Sequence, residues 1–140
     1  MAATVKTAAY FYTRVEDRPG QAYDILAQLA SGDINLLAFS AVPYGPNYIE
    51  LTIFPENGDQ FVALAASRQW ALTGPQHAFL IQGDDQLGAL TGIHQKLSDA
   101  SINVYASSGV TDGRGHFGYI IYVKESDFER AAKALGTDIP

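Results

Sequence analysis

Short runs of aromatic and β-branched residues alternate along the chain with stretches in which apolar residues recur every three or four positions. The first run, Thr-Ala-Ala-Tyr-Phe-Tyr-Thr at 7–13, predicts a strand. A turn over Glu16-Asp17-Arg18-Pro19-Gly20 leads into a helix with Ala22, Ile25, Leu26 and Leu29 on one stripe. That helix is expected to stop at Ser31-Gly32, with glycine as a left-handed cap. Strands follow at 34–42 and 48–54, separated by Pro43-Tyr44-Gly45-Pro46-Asn47. A second helix at 58–69 places Phe61, Leu64, Ala65 and Arg68 on one side, and a short strand near 71–73 ends the series.

The series then repeats. Slid against itself by 68 positions, the chain lays Phe11 on Phe79, Asp17 on Asp85, Gly20 on Gly88 and Ile25 on Ile93. Leu29 falls on Leu97, Ile34-Asn35 on Ile102-Asn103, Ala38 on Ala106, Val42 on Val110, Gly45 on Gly113 and Ile53 on Ile121. No gap is needed, and the matched residues are those a fold constrains. The second copy predicts a strand at 77–82, a helix at 87–100 with Leu90, Ile93 and Leu97 as its stripe, and strands at 102–110 and 116–123. Its last helix opens on Ser126-Asp127-Phe128-Glu129, which reads as a capping box, and buries Phe128, Ala131, Ala132 and Leu135. The order is β-α-β-β-α-β twice, an α+β chain of two ferredoxin-like units at 1–74 and 75–140, joined near Gly74-Pro75. Right-handed crossovers put the helices of each unit on one face of an antiparallel sheet. The other face is left open and semi-apolar.

Composition narrows the function. Of the 140 residues, 47% are hydrophobic and only 17% charged, as in a folded globular protein. A net charge of −6 argues against nucleic acid or an anionic membrane as partner, since either needs a basic patch. The absence of cysteine excludes disulfides, thiolate metal sites and a cysteine nucleophile. The start lacks the apolar core of a signal peptide and no apolar run is long enough to span a bilayer, so a soluble cytoplasmic protein is expected.

The segment with chemical potential is the loop before the first helix. Asp17 can cap the helix, Pro19 suits a first helical turn, and Gly20 permits close backbone approach. Amides at a helix mouth attract an anion, and Asp17 beside Arg18 offers a negative group to a cation. Together they suit a zwitterion, with Asn35 at the start of the next strand as a further amide. The plain structural alternative is that Asp17 only caps, Pro19-Gly20 only shapes the turn, and Asn35 and Asn103 only bond nearby loops.

Asp17-Arg18-Pro19-Gly20 after a strand, then the helix from Gln21, then Gly32-Asp33-Ile34-Asn35, resembles an ACT domain. Asp85-Gln86-Leu87-Gly88 followed by Ser101-Ile102-Asn103 resembles a more divergent copy. The resemblance spans nearly the whole chain and leaves no room for a catalytic domain. It implies a regulatory module that binds a small ligand, mostly an amino acid, where the helix-one loop of one domain meets strands of its partner. By position, Asp17, Arg18, Pro19, Gly20 and Asn35 are the ligand-binding candidates of the first copy, and Asp85, Gly88 and Asn103 those of the second. Val15 stands where serine-sensing members carry histidine, which sets serine sensing of that type aside. The adjacent acids Asp84 and Asp85, and the missing proline, make the first loop the preferred site.

Other motifs lead elsewhere. Gly113-Arg114-Gly115-His116-Phe117-Gly118 matches a dinucleotide fingerprint in letters, but it lies between two strands after the Asp112-Gly113 turn signal. His77, His94 and His116 lack partners at metal-ligand spacing, and His94 reads as a packed or hydrogen-bonded histidine. No nucleophile elbow or P-loop is present. The expectation is a non-enzymatic regulator that binds an amino acid without a cofactor, forms a homodimer and acts on a metabolic enzyme. A ligand-free protein-interaction module, and an enzyme on a ferredoxin-like barrel, are the competing expectations.

Overall fold

A computed structural model describes residues 3–139. The described residues are α+β, with six antiparallel strands and four α-helices. In order they are β1 (Thr4–Glu16), α1 (Gln21–Ser31), β2 (Leu36–Tyr44), β3 (Tyr48–Pro55), α2 (Gly58–Ser67), β4 (Thr73–Asp84), α3 (Thr91–Asp99), β5 (Ala106–Thr111), β6 (His116–Tyr122) and α4 (Phe128–Leu135). They divide into two compact units. One is Ala9–Gln76, and the other is His77 onward together with the N-terminal residues up to Ala8.

In the unit Ala9–Gln76 the strand order is β2-β3-β1-β4. The register runs from Phe11↔Ile53 to Glu16↔Tyr48 and from Leu36↔Pro55 to Tyr44↔Tyr48. Alternation puts Phe11, Leu51 and Ile53 on the side that meets Ile25 and Leu29 of α1 and Phe61 of α2. Ala22 and Leu26 pack against the same cluster, so the predicted α1 stripe forms as read. Arg68 is different: it ends α2 and is exposed. The end of α1 also departs from expectation. Gly32 has φ −91°, and the left-handed residue is Asp33 at φ 59°. Gly32 instead packs closely on α2: a Cβ there would lie 2.9 Å from Leu64 Cδ2, and the leucine tip would have to shift.

In the second unit the order is β1-β4-β6-β5. Phe79↔Ile121 to Asp84↔His116 and Ala106↔Tyr122 to Thr111↔Phe117 set its register. Its core gathers Phe79, Ile81, Ile93, Leu97, Ile121 and Phe128, with the Phe79 and Phe128 rings stacked at 4.6 Å. The four apolar residues predicted for α4 are all buried. No strand follows α4 among the described residues. The place of a fourth strand is taken by the N-terminal part of β1: Thr4 Oγ1 donates to Gln82 O at 3.3 Å and Val5 packs on the core.

Three local expectations are corrected here. Residues 71–73 and 77–82 do not form separate strands; β4 is one strand from Thr73 to Asp84. Helix α3 starts at Thr91 and not at 87, since residues 87–90 are spent in a turn with Gly88 at φ +76°. The capping box at Ser126 does not form. Ser126 sits inside a 3₁₀ turn (Glu125–Asp127), where its backbone is not that of a cap. Arg130 secures that helix start, donating to Asp127 Oδ1 and to Ala100 O at 2.8 Å each. Positive φ recurs at a spacing of 68 residues, at Gly20 and Gly88, at Asp33 and Ser101, and at Gly45 and Gly113.

If the N-terminal segment completes the second unit, deleting the chain up to Ala8 strips cover from Val5's neighbours and from the edge of β4. Amide exchange of residues 77–84 is then expected to accelerate well beyond that of β2 and β3. Equal protection in the full and shortened chains would contradict this.

Candidate functional site

The first loop leaves β1 by extending its ladder one step. Asp17 N donates to Asn47 O at 2.9 Å, directly beyond the Glu16↔Tyr48 pair. Arg18 N then donates to Glu16 O at 3.0 Å, and Gly20 at φ +90° turns the chain into α1. Only a residue without a side chain takes that backbone conformation freely. Asp17, Arg18, Pro19 and Gly20 are all exposed. Asp17 does not cap α1. The cap position is Gly20, three residues further on, and no side chain bonds the first amides.

Asn35 is not brought to this loop within its own unit. Its Nδ2 donates to Glu56 Oε2 at 3.1 Å, and Glu56 N donates to Asn35 O at 2.8 Å. Asn35 therefore sits beyond the Pro55 end of β3 while Asp17 sits beyond the Tyr48 end. The strand between them puts roughly 25 Å between the two at ~3.3 Å per residue.

The second loop is built the same way. Asp85 N donates to Gly115 O at 2.7 Å, one step past Asp84↔His116, and Gly88 supplies the positive φ. Ala89 N donates to Gln86 O and Thr91 N to Gly88 O, each at 3.0 Å. The mouth of α3 carries no side-chain cap. Here a cleft of about 480 Å³ opens in front of the helix. Asp85, Gly88 and Thr91 form one wall, and Gly109, Phe117 and Tyr119 belong to the other. Asp85 and Gly88 thus come together as predicted positions, whereas Asn103 lines a separate hollow of about 510 Å³ with His94 and Ser98.

The cleft pairs an acidic group and exposed helix-start amides with apolar walls. Such a mouth can hold a carboxylate on the amides and an ammonium on Asp85. Sequence reasoning missed Thr91, Gly109 and Tyr119. The signal was present in the repeat: the positions of Gly109 and Tyr119 match Ala41 and Leu51, so the two copies differ there in kind. His94 is hydrogen-bonded as read, its Nε2 standing 2.7 Å from Tyr119 Oη.

The Gly113–Gly118 segment is the β5–β6 hairpin, as its turn signal indicated. Asp112 organises it. Its Oδ1 accepts from Arg114 N at 2.7 Å and from His116 N at 3.1 Å, and His116 Nδ1 lies 3.2 Å from Oδ2. Chiefly through the Arg114 amide, then the His116 amide, these bonds hold the Asp112 carboxyl below the usual aspartate range. This hairpin supplies Gly115, the acceptor that holds the Asp85–Gly88 loop.

No family model matches the chain, and no curated protein matches it in sequence. Solved structures do match in shape. Protein BT0572 from Bacteroides thetaiotaomicron superposes with a TM-score of 0.80 at 16% identity, over 94% of this chain and 88% of that one. The ligand-free regulatory subunit of aspartate kinase from Thermus thermophilus gives 0.62 at 14% identity, over 97% and 95%. Aspartokinase alpha and beta subunits give 0.60 at 18%, over 96% and 95%. The likeness is one of fold, and the fold is ACT-like.

With its native pKa lowered, Asp112 stabilises the hairpin while ionised. That contribution is present above the ordinary aspartate range and is lost as pH falls through the lowered value. Carboxyl NMR titration is expected to place Asp112 below the ordinary aspartate value of 3.8. A midpoint at that ordinary value would contradict the hydrogen-bonded hairpin.

Proposed function

We propose that the chain is a non-enzymatic regulatory protein of two ACT domains in tandem, the two units described above, and that it binds an amino acid at the mouth of α3. The observation that carries this is the cleft in which Asp85, Gly88 and Thr91 at the start of α3, a helix start with no side-chain cap, converge. The ligand's carboxylate meets the helix-start amides and its ammonium meets Asp85. A backbone clamp holds both groups in place before any ligand arrives, which reduces the ordering that binding must impose.

The equivalent mouth at Asp17, Arg18, Pro19 and Gly20 has the same clamp and the same positive-φ glycine. It is the second site of the proposal, and the cleft gives the α3 mouth the first place. Asn35 is bonded to Glu56 and Asn103 lines a different hollow, so neither belongs to these mouths. Occupancy is passed to a metabolic enzyme or regulator as partner. The likeness of fold to a regulatory subunit of aspartate kinase supports this kind of role.

A thermal-shift screen against the twenty common amino acids at millimolar concentration tests the reading. A ligand at ~100 times its dissociation constant adds about 2.7 kcal/mol, which raises the melting point of a chain this size by roughly 5–10 °C. Asp85→Ala is expected to remove most of that shift while leaving the unliganded melting point nearly unchanged. The corresponding Asp17→Ala is expected to remove less. No shift with any amino acid would overturn the proposal.

A further inference from the structure

The two copies of the repeat fill one place in the fold with opposite chemistry. In Ala9–Gln76 the place is occupied by Leu26 on α1, Ala41 on β2 and Leu51 on β3. Ala41 and Leu51 are directly paired, Leu51 is fully buried, and Leu26 packs on the same core. At the matching positions, 68 residues on, stand His94 on α3, Gly109 on β5 and Tyr119 on β6. Gly109 and Tyr119 are again directly paired.

These three residues depend on one another. A Cβ at Gly109 would lie 2.8 Å from Tyr119 Cδ1, so the tyrosine ring rests on bare backbone and needs glycine beneath it. The ring is 8% exposed, and its hydroxyl is paired with His94 at 2.7 Å. A polar pair this far inside costs desolvation that an apolar pair does not. The fold does not require it, because the sister copy is built with leucines. What distinguishes the second place is the cleft: Gly109 and Tyr119 both line it.

We infer that Tyr119 and Gly109 form the part of this cleft that reads the ligand's side chain, that His94 is the positioning residue for the tyrosine hydroxyl, and that the site selects an amino acid whose side chain carries a hydrogen-bond donor. This deepens the amino-acid reading above and rests on it. In the proposed arrangement the imidazole proton is on Nδ1, and Tyr119 donates to His94 Nε2 across the 2.7 Å between them. The phenolic oxygen then keeps its lone pairs for a ligand. An aliphatic side chain leaves them unmet, and a hydroxyl, amide or ammonium meets them. Gly109 keeps the strand surface low enough for a side chain to pass over the backbone to that oxygen.

The test uses the full chain and near-isosteric pairs that differ in the donor: threonine against valine, asparagine against leucine, and lysine against norleucine, each measured by titration calorimetry. In the unaltered protein at least one donor-bearing member is expected to bind about tenfold tighter than its partner, the order of one hydrogen bond. Tyr119→Phe keeps the ring and is expected to bring that ratio to within about twofold. The triple variant His94→Leu, Gly109→Ala, Tyr119→Leu, which copies the sister unit, is expected to fold and to lose ligand binding. A role confined to packing would not move a second readout, the His94 ring ¹⁵N shifts. They are expected to report an unprotonated Nε2 and to respond to the preferred ligand in the unaltered protein, and not to respond in Tyr119→Phe. A tighter fit for the aliphatic members, or a preference that survives in Tyr119→Phe, overturns the inference and leaves the amino-acid reading standing. No binding by any of the six overturns the inference, and silence across all twenty amino acids overturns the reading with it.

Discussion

One backbone hydrogen bond, made twice, holds the working parts of this chain in place. Asp17 N to Asn47 O in one unit and Asp85 N to Gly115 O in the other each carry a strand ladder one step past its last pair. The step is small, but it decides where the next residues go. It ties the loop to the tip of a hairpin, and a positive-φ glycine then turns the chain into a helix whose first amides no side chain satisfies. A helix mouth beside a fixed loop follows from local geometry, before any ligand is considered.

The two mouths share a backbone and differ in their surroundings. Around α1 the matching positions are two leucines, Leu26 and Leu51, that belong to the core, and the exposed Ala41. Around α3 the matching positions are histidine, glycine and tyrosine; the glycine and tyrosine border a cleft, and the histidine lines the separate hollow beside Asn103. Duplication makes this contrast interpretable. When one scaffold is built twice in one chain, what both copies share is what the fold demands. What only one copy holds needs another reason, and the proposed reading of a ligand side chain by Tyr119 supplies one.

Much of the fold was legible because it is local. The helix stripes at Ile25 and Leu29 and at Phe128, Ala131, Ala132 and Leu135 depend on a period of 3.6, and they formed as read. The repeat reappeared in paired positive-φ residues. What was not legible depends on partners distant in sequence. Nothing near residue 75 announces that β4 runs unbroken from Thr73 to Asp84. Nothing in Gly32 distinguishes a cap from a close approach to Leu64. The site was half legible for the same reason. Asp85 and Gly88 are marked by their place before a helix. Tyr119 reads as one more strand aromatic until His94 and Gly109 are found against it, and Asn35 reads as a neighbour of Asp17 until the strand register sends it to the far end of β3.

The central claim is that the α3 mouth is where a small molecule settles. Backbone amide shifts of the ¹⁵N-labelled chain, followed while each amino acid is added, test it most directly. The account predicts that the amino acid that stabilises the protein moves the resonances of residues 85–91, 109–111 and 117–119 together, along one saturating curve. Saturable shifts confined to surfaces away from those three segments, or no saturable shift with any amino acid, would contradict it.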